Sequence, residues 1–135
     1  HMEAENLVYG FKRKVSCSFE EAVKKTKNCL KEEGFGVLTE IDVKSTMKEK
    51  LDHDFPNYVI LGACNPPLAL NVLLADMDIG LMLPCNVIVY EFPETDSVFV
   101  TAVDPTAMMR ITGQEDVIAF SQEIREKLFR ALEKI

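Results

Sequence analysis

Apolar side chains recur with different periods along this chain, and each change of period marks an expected element boundary. Over residues 6–15 large apolar side chains occupy alternate positions (Leu7, Tyr9, Phe11), which predicts a half-buried strand. Over residues 19–33 the apolar period becomes helical, and Ser18 is the predicted N-cap. Alternation returns over 35–42 as a second predicted strand, and residues 43–51 are predicted to form a short helix.

The middle of the chain is the most apolar part. Residues 58–64 form an unbroken apolar run, which predicts a central strand covered on both faces. Asn65 then caps a predicted helix over 66–76, with Pro66 in its first turn, where a missing N–H costs nothing. Only Asn71 is polar inside this helix, so we expect it to be buried on all sides. In so small a domain such burial needs a second subunit or a covering loop, which favours a homodimer through this helix.

The last part of the chain alternates strands and helices without a βαβ order. The final helix is predicted to have Thr112 and Glu115 as a capping box and Phe120 in its buried stripe. The predicted fold class is therefore α+β: one domain over 1–135 with a mainly antiparallel sheet and helices packed on one face. The remaining predicted elements are strands at 86–92 and 97–103 and helices at 104–109 and 113–134.

Length and charge narrow the possible partners. The chain has 135 residues and a net charge of −7, which disfavours nucleic acid and anionic membrane surfaces because both select basic proteins. No apolar run approaches the ~20 residues of a membrane span. Residues 1–5 are expected to be a tag scar with a flexible N-terminus, and with no visible signal peptide we expect a cytoplasmic location.

Two short segments carry the candidate chemistry, and both stand at strand ends: Cys64-Asn65-Pro66 and Pro84-Cys85-Asn86. If their strands are neighbours, the two cysteine-bearing ends can approach each other. Cys64 also precedes a helix N-terminus, where free N–H groups would lower its pKa if the thiol reaches them. Cys64 and Cys85 are thus either reactive or ligand-binding thiols, or small apolar residues that close core strands, and the sequence leaves both interpretations open.

Metal binding is a related possibility for the same cysteines. Cys64 and Cys85 with His53 give at most three ligands, fewer than the four of a structural zinc site. The Asp52-His53-Asp54 stretch is either a hard-metal patch or a solvated loop. The cofactor is therefore unknown, with a soft metal ion as the candidate, because Cu(I) accepts thioethers and four methionines are available: Met77, Met82, Met108 and Met109.

Three stretches of this chain stand out together: Gly62-Ala63-Cys64-Asn65-Pro66, the segment 78–91 with its Leu83-Pro84-Cys85-Asn86 core, and Val103-Asp104-Pro105 with Met108. Together they resemble a known family, the bacterial and archaeal domain of unknown function family 302. The resemblance covers nearly the whole chain and implies a compact, dimeric α+β domain of the TATA-binding-protein-like class, without supplying a function. The matching positions are Gly62, Cys64, Asn65, Pro66, Pro84 and Cys85.

The sequence supports three functional hypotheses. The first is a non-catalytic homodimer that binds a small ligand or soft metal at a site made by Cys64, Asn65, Pro66, Pro84, Cys85 and Asn86. The second is a thiol-dependent enzyme or redox protein with Cys64 as nucleophile and Cys85 as resolving thiol. In the third, both segments are purely structural and the domain serves only for interaction.

Overall fold

The structure is a computed structural model that describes residues 4–135, with side chains described from residue 6. Of the expected tag scar and flexible N-terminus at 1–5, residues 1–3 lie outside the described part. Ala4 already opens the first strand.

Six strands form one sheet in which every neighbouring pair is antiparallel, in the spatial order β1-β2-β6-β5-β4-β3. This confirms the predicted α+β class. The strands are β1 Ala4–Leu7, β2 Gly10–Val15, β3 Gly36–Asp42, β4 Tyr58–Cys64, β5 Cys85–Glu91 and β6 Val98–Val103. The helices are α1 Phe19–Glu32, α2 Val43–Leu51, α3 Pro66–Ala75, α4 Pro105–Met109 and α5 Glu115–Glu133, with 3₁₀ turns at Met77–Met82 and Arg110–Thr112.

The core lies between one face of the sheet and a helix layer in which α1, α3 and α4 all pack against α5. Alternate residues of the central strands point into this core, among them Leu61, Val87 and Val100, each fully buried. The opposite face of the sheet carries a row of stacked rings on neighbouring strands, Tyr58, Tyr90 and Phe99, with successive centroids 5.4 and 5.5 Å apart. Both faces of the central strands are therefore apolar, which explains the unbroken apolar run of β4.

The first predicted strand proves to be two strands. The span 6–15 is interrupted at Val8 and Tyr9, which form the turn of a β1–β2 hairpin, and both side chains are exposed. Because both turn residues are apolar, the alternation continues through the turn and hides it.

The capping box predicted for the last helix is wrong. Helix α5 begins at Glu115 with Gln114 as N-cap and no side-chain cap. The Thr112 hydroxyl instead donates to the carbonyl of Met109 at 2.7 Å and accepts from the N–H of Gln114 at 3.1 Å. The cap at the start of α1 is confirmed, since Ser18 Oγ accepts from the N–H of Glu21.

Helix α3 is not buried on all sides within one chain. Its inner face packs in the core, but Leu74 is 73% exposed and Leu70 is exposed as well. Phe120 on α5, predicted to be inward, is 43% exposed. Helices α3 and α5 pack against each other in the outer layer, so each leaves one side without a covering element in the described part of the chain.

Candidate functional site

The two candidate segments lie side by side in the sheet. Strands β4 and β5 are antiparallel neighbours, with Ala63 paired to Cys85 and Gly62 paired to Asn86. The end of β4 that carries Cys64 therefore meets the start of β5. The sequence left open whether the two strands are neighbours, and the structure pairs them directly. All four cysteines of the chain are free thiols.

Pro84 packs so closely against Gly62 that no side chain fits at position 62. A Cβ on Gly62 would stand 2.8 Å from Pro84 Cγ and 2.2 Å from Thr39 Oγ1. Such separations are far below van der Waals contact, so a side chain at position 62 would displace both neighbours. The glycine of one segment and the proline of the other are thus a single packing requirement of the fold.

Asn65 joins two helix ends. Its Oδ1 accepts from the N–H of Leu68 at 3.4 Å, which caps α3 as predicted. Its Nδ2 donates to the carbonyl of Glu33 at 3.2 Å, at the C-terminus of α1. Gly34, with φ of +85°, leaves room for this amide, because a Cβ there would lie 2.9 Å from Asn65 Nδ2. Both polar ends of the buried Asn65 side chain are therefore used within the fold.

The Cys64 thiol gains no stabilisation from the start of α3. Pro66 and Pro67 have no N–H groups, and the next N–H, that of Leu68, is taken by Asn65. The condition for a lowered pKa is thus not met at Cys64. Burial instead raises the pKa of the Cys64 thiol.

Cys85 is held still more firmly in its neutral form. Burial raises the pKa of its thiol to about 12, and the nearby Cys64 thiolate charge acts in the same direction. Cys85 is among the buried core residues, whereas Cys64 is half-buried. At neutral pH both side chains are therefore thiols, which is unfavourable for the nucleophile and resolving pair of the redox hypothesis.

The two cysteines share only a narrow gap. Its volume is about 10 Å³, close to the smallest space that holds one water molecule, and Phe35, Leu83 and Ile124 also line it. A ligand larger than water does not fit between Cys64 and Cys85 in this arrangement.

A larger cavity also has Cys85 in its lining, but not Cys64. It has a volume of about 150 Å³ and takes in three of the predicted site residues, Pro84, Cys85 and Asn86. Met109 forms a buried part of its wall, while Leu81 on its rim is 91% exposed. The complete lining is Leu81, Met82, Leu83, Pro84, Cys85, Asn86, Val103, Pro105, Met108 and Met109.

Helix α4 forms one wall of this cavity and is held in place by Asp104. One oxygen of the Asp104 carboxylate accepts from the N–H groups of Thr106 and Ala107, which caps α4. The other accepts from Arg125 Nε at 3.2 Å and so ties α4 to α5. The sequence predicts this helix but not its position beside Pro84. Contact between segments so far apart along the chain depends on the order of the strands in the sheet.

His53 does not join the cysteines. It precedes the start of β4 while Cys64 ends it, and a seven-residue strand spans roughly 20 Å. Lys48 Nζ lies 3.0 Å from Asp52 and 3.2 Å from Asp54, so the acidic loop is bound to a lysine. Among the side chains of residues 6–135 no group of three or more His, Cys, Asp or Glu is placed to hold a metal ion.

Two other depressions contain none of the predicted site residues. One of about 250 Å³ lies beside the start of α1 and includes Phe19, Val23 and Glu40, whose carboxylate pairs with Lys27. One of about 370 Å³ lies at the end of the sheet near Phe92. In the described part of the chain, no helix combines the length and the hydropathy needed to cross a membrane.

Comparison with known proteins places this geometry in a family. A crystal structure of an uncharacterized conserved protein DUF302 from Bacillus stearothermophilus is similar to this chain with a TM-score of 0.87 and 29% sequence identity, covering 95% of this chain and 98% of that one. None of the curated proteins matches this chain. The family model described as "Domain of unknown function DUF302" matches residues 11–135. The chain therefore belongs to the DUF302 family, as its sequence motifs predicted.

Proposed function

We propose that this protein is a non-catalytic binding domain that holds a small guest in the cavity beside Pro84. Two separate stretches that resemble the DUF302 family line this one cavity, and this observation carries the proposal. Pro84, Cys85 and Asn86 come from the first stretch, and Val103, Pro105 and Met108 come from the second. The first stretch also contributes Leu81, Met82 and Leu83, so most of the lining comes from the chain's most distinctive sequence.

The size of the cavity limits the guest. Pockets for drug-sized ligands enclose about 300–1,000 Å³, twice this volume or more. A cavity of this volume, about 150 Å³, is large enough for benzene or xenon. The guest is therefore an ion or a molecule of a few heavy atoms. Asn86, which is exposed and lines the same space, is the polar group available to orient it.

The protonation of the cysteines supports binding rather than catalysis. Burial raises the pKa of both Cys64 and Cys85, so neither is a thiolate at neutral pH in the free protein. The role of Asn65 and Pro66 is then to fix the start of α3, while Pro84, Cys85 and Asn86 meet the guest.

Native mass spectrometry tests the binding function directly. Protein purified without a metal-affinity step is expected to carry an added mass, which a larger side chain in the lining, Met108→Phe, removes. The matched control is Met47→Leu, since Met47 lies on α2 and does not line the cavity. An added mass retained by Met108→Phe, or no added mass with any preparation, contradicts the proposal.

A homodimer through the α3 region is the second part of the proposal. Four large apolar residues are exposed in succession along α3 and the following 3₁₀ turn: Leu70, Leu74, Met77 and Leu81. Exposed apolar residues that follow one another along an element are typical of protein interfaces. Leu81 also lines the cavity, so a second copy seated on this stripe would cover the cavity rim.

Sedimentation velocity tests the dimer. Leu74→Lys should convert the dimer to a monomer at micromolar concentration, because a lysine would be buried in the interface. The control is Leu51→Lys, which places the same charge at a similarly exposed leucine on α2. A monomeric parent protein, or a dimer that survives Leu74→Lys, overturns this part of the proposal.

We infer a cytoplasmic location and a single domain over 1–135 on related grounds. Four free cysteines are typical of a reducing compartment. One shared sheet and one core support a single folding unit. The net charge of −7 argues against nucleic acid as a partner.

A further inference from the structure

Four of the ten residues that line the Pro84 cavity carry a sulfur atom in their side chain. Met82 closes the 3₁₀ turn after α3, Cys85 opens β5, and Met108 and Met109 end α4. Three separate segments thus place sulfur-bearing side chains around about 150 Å³ of space. Of the other cavities described above, the narrow gap has two sulfur-bearing lining residues, Cys64 and Cys85, and the remaining two have none.

We propose that the guest of this cavity is a soft monovalent metal ion, Cu(I), held by Cys85 and by the thioethers of Met82, Met108 and Met109. This inference rests on the proposed binding function and names its ligand class. Thiolate and thioether sulfur are soft donors that select Cu(I) over harder cations. Methionine side chains have three rotatable bonds, so the thioethers can turn toward an ion without movement of the backbone.

Charge balance favours a monovalent ion in these surroundings. Cys85 and Met109 are buried side chains of this lining, and an unbalanced charge beside them is costly. Cu(I) with one thiolate and three neutral thioethers has no net charge, whereas Zn(II) with the same ligands keeps one positive charge. On binding, the S–H bond of Cys85 breaks, a Cu–S bond forms and the proton passes to solvent. Neither copper nor sulfur changes oxidation state.

Close packing is the competing explanation for these methionines. Met109 is buried in the core, and methionine is a common filler of irregular apolar space. Packing alone predicts that leucine, which has a similar volume, can replace Met108 and Met109 without loss of any property. Metal binding predicts that the same replacements keep the fold and remove the ligands, so the two explanations give opposite results.

Competition between the protein and a chromophoric Cu(I) chelator, under anaerobic reducing conditions, measures the affinity. The full chain is expected to take up one Cu(I) per chain, and the Met108→Leu/Met109→Leu double variant should bind at least tenfold more weakly. Cys85→Ala should abolish competition. Met47→Leu and Cys29→Ala are the matched controls, because neither residue lines the cavity or belongs to the proposed dimer stripe, and both should bind like the parent. Circular dichroism confirms that each variant is folded.

X-ray absorption at the copper edge supplies an independent readout, with sulfur expected as the only first-shell scatterer. Absence of Cu(I) uptake, unchanged affinity in the double methionine variant, or nitrogen and oxygen in the first shell would each overturn the assignment. Xenon or benzene binding by the same cavity separates the two proposals. If xenon binds and Cu(I) does not, the metal assignment fails and the binding cavity stands, and if neither binds, both fail.

Discussion

Pro84 occupies the space that a side chain on Gly62 would need. Its Cγ would lie 2.8 Å from a Cβ at position 62, on the neighbouring strand of the sheet. The glycine and the proline belong to the two motifs that resemble the DUF302 family, so part of that resemblance reflects a packing requirement. The contact also explains why the loop before β5 can lie close against β4.

Gly62→Ala should destabilise the protein strongly. The added methyl group would meet Pro84 and Thr39, and overpacking of this kind costs about 1–3 kcal/mol. Chemical denaturation measures the free energy of unfolding. The matched control is Gly36→Ala, because Gly36 is also in a strand but nothing lies within 4 Å of its Cβ position. Equal effects of the two substitutions would contradict the proposed packing of Pro84 on Gly62.

Asn65→Ala should also destabilise the protein, by about 1–3 kcal/mol. The change removes the N-cap of α3 and leaves the carbonyl of Glu33 without its side-chain donor. Asn65→Asp separates the two roles, since aspartate caps as well as asparagine but cannot donate to a carbonyl. We expect the aspartate variant to unfold with a free energy between those of the parent and the alanine variant. An aspartate variant as stable as the parent would show that the bond to Glu33 contributes nothing.

Cys85 should resist alkylation in the native protein at neutral pH. Burial both hinders access and raises the pKa of the thiol to about 12. Iodoacetamide labelling followed by peptide mass mapping should show much slower modification at Cys85 than in the unfolded protein. Labelling of Cys85 at the unfolded rate would restore the thiol-enzyme hypothesis.

The same raised pKa makes stability fall at alkaline pH. The unfolded thiol ionises near its ordinary value of 9.0, whereas the folded thiol ionises at about 12. Between these values the folded state binds more protons, so the free energy of unfolding decreases by up to about 1.4 kcal/mol per pH unit. Cys85→Ala should have a shallower decline between pH 9 and pH 11. A decline as steep as that of the parent would assign the effect to other groups.

Glu33 makes stability fall at acid pH, because the fold lowers the pKa of its carboxyl group. Its carboxylate accepts from Lys134 Nζ at 2.7 Å and from Arg130 Nε at 3.2 Å, and both bonds lower its pKa, that to Lys134 most. Its stabilising contribution is therefore present above pH 4.5 and is lost as the pH falls through the lowered value. The difference in unfolding free energy between the parent and Glu33→Gln should shrink below pH 4.5. A difference that stays constant from pH 7 to pH 3 would be inconsistent with these ion pairs.

Much of the fold could be predicted because local signals are strong in this chain. The Ser18 and Asn65 caps and the apolar run of β4 each depend on neighbouring residues, and the structure confirms them. The β1–β2 turn was hidden because its two residues are apolar. Exposure of Leu74 and Phe120 could not be predicted, since composition shows that a helix is apolar but not which of its sides is covered.

The candidate site could be predicted only in part, again because some of its contacts are long-range. The sequence pointed to Cys64 and Cys85 as a pair, but the two share a narrow gap, and Cys85 without Cys64 lines the larger cavity. Val103, Pro105 and Leu83 were not predicted as lining residues. Their position depends on β5 pairing with β6 and on α4 folding back beside Pro84, which are long-range contacts without a local signal.

The binding cavity is tested most directly by NMR of protein labelled at the methionine methyl groups during a titration with xenon. We expect saturable shifts of the Met82, Met108 and Met109 signals, because these side chains line the cavity, while the Met47 and Met77 signals stay constant. Signals of Met82, Met108 and Met109 that do not move, or that move no more than those of Met47 and Met77, would contradict the assignment of this cavity as the binding site.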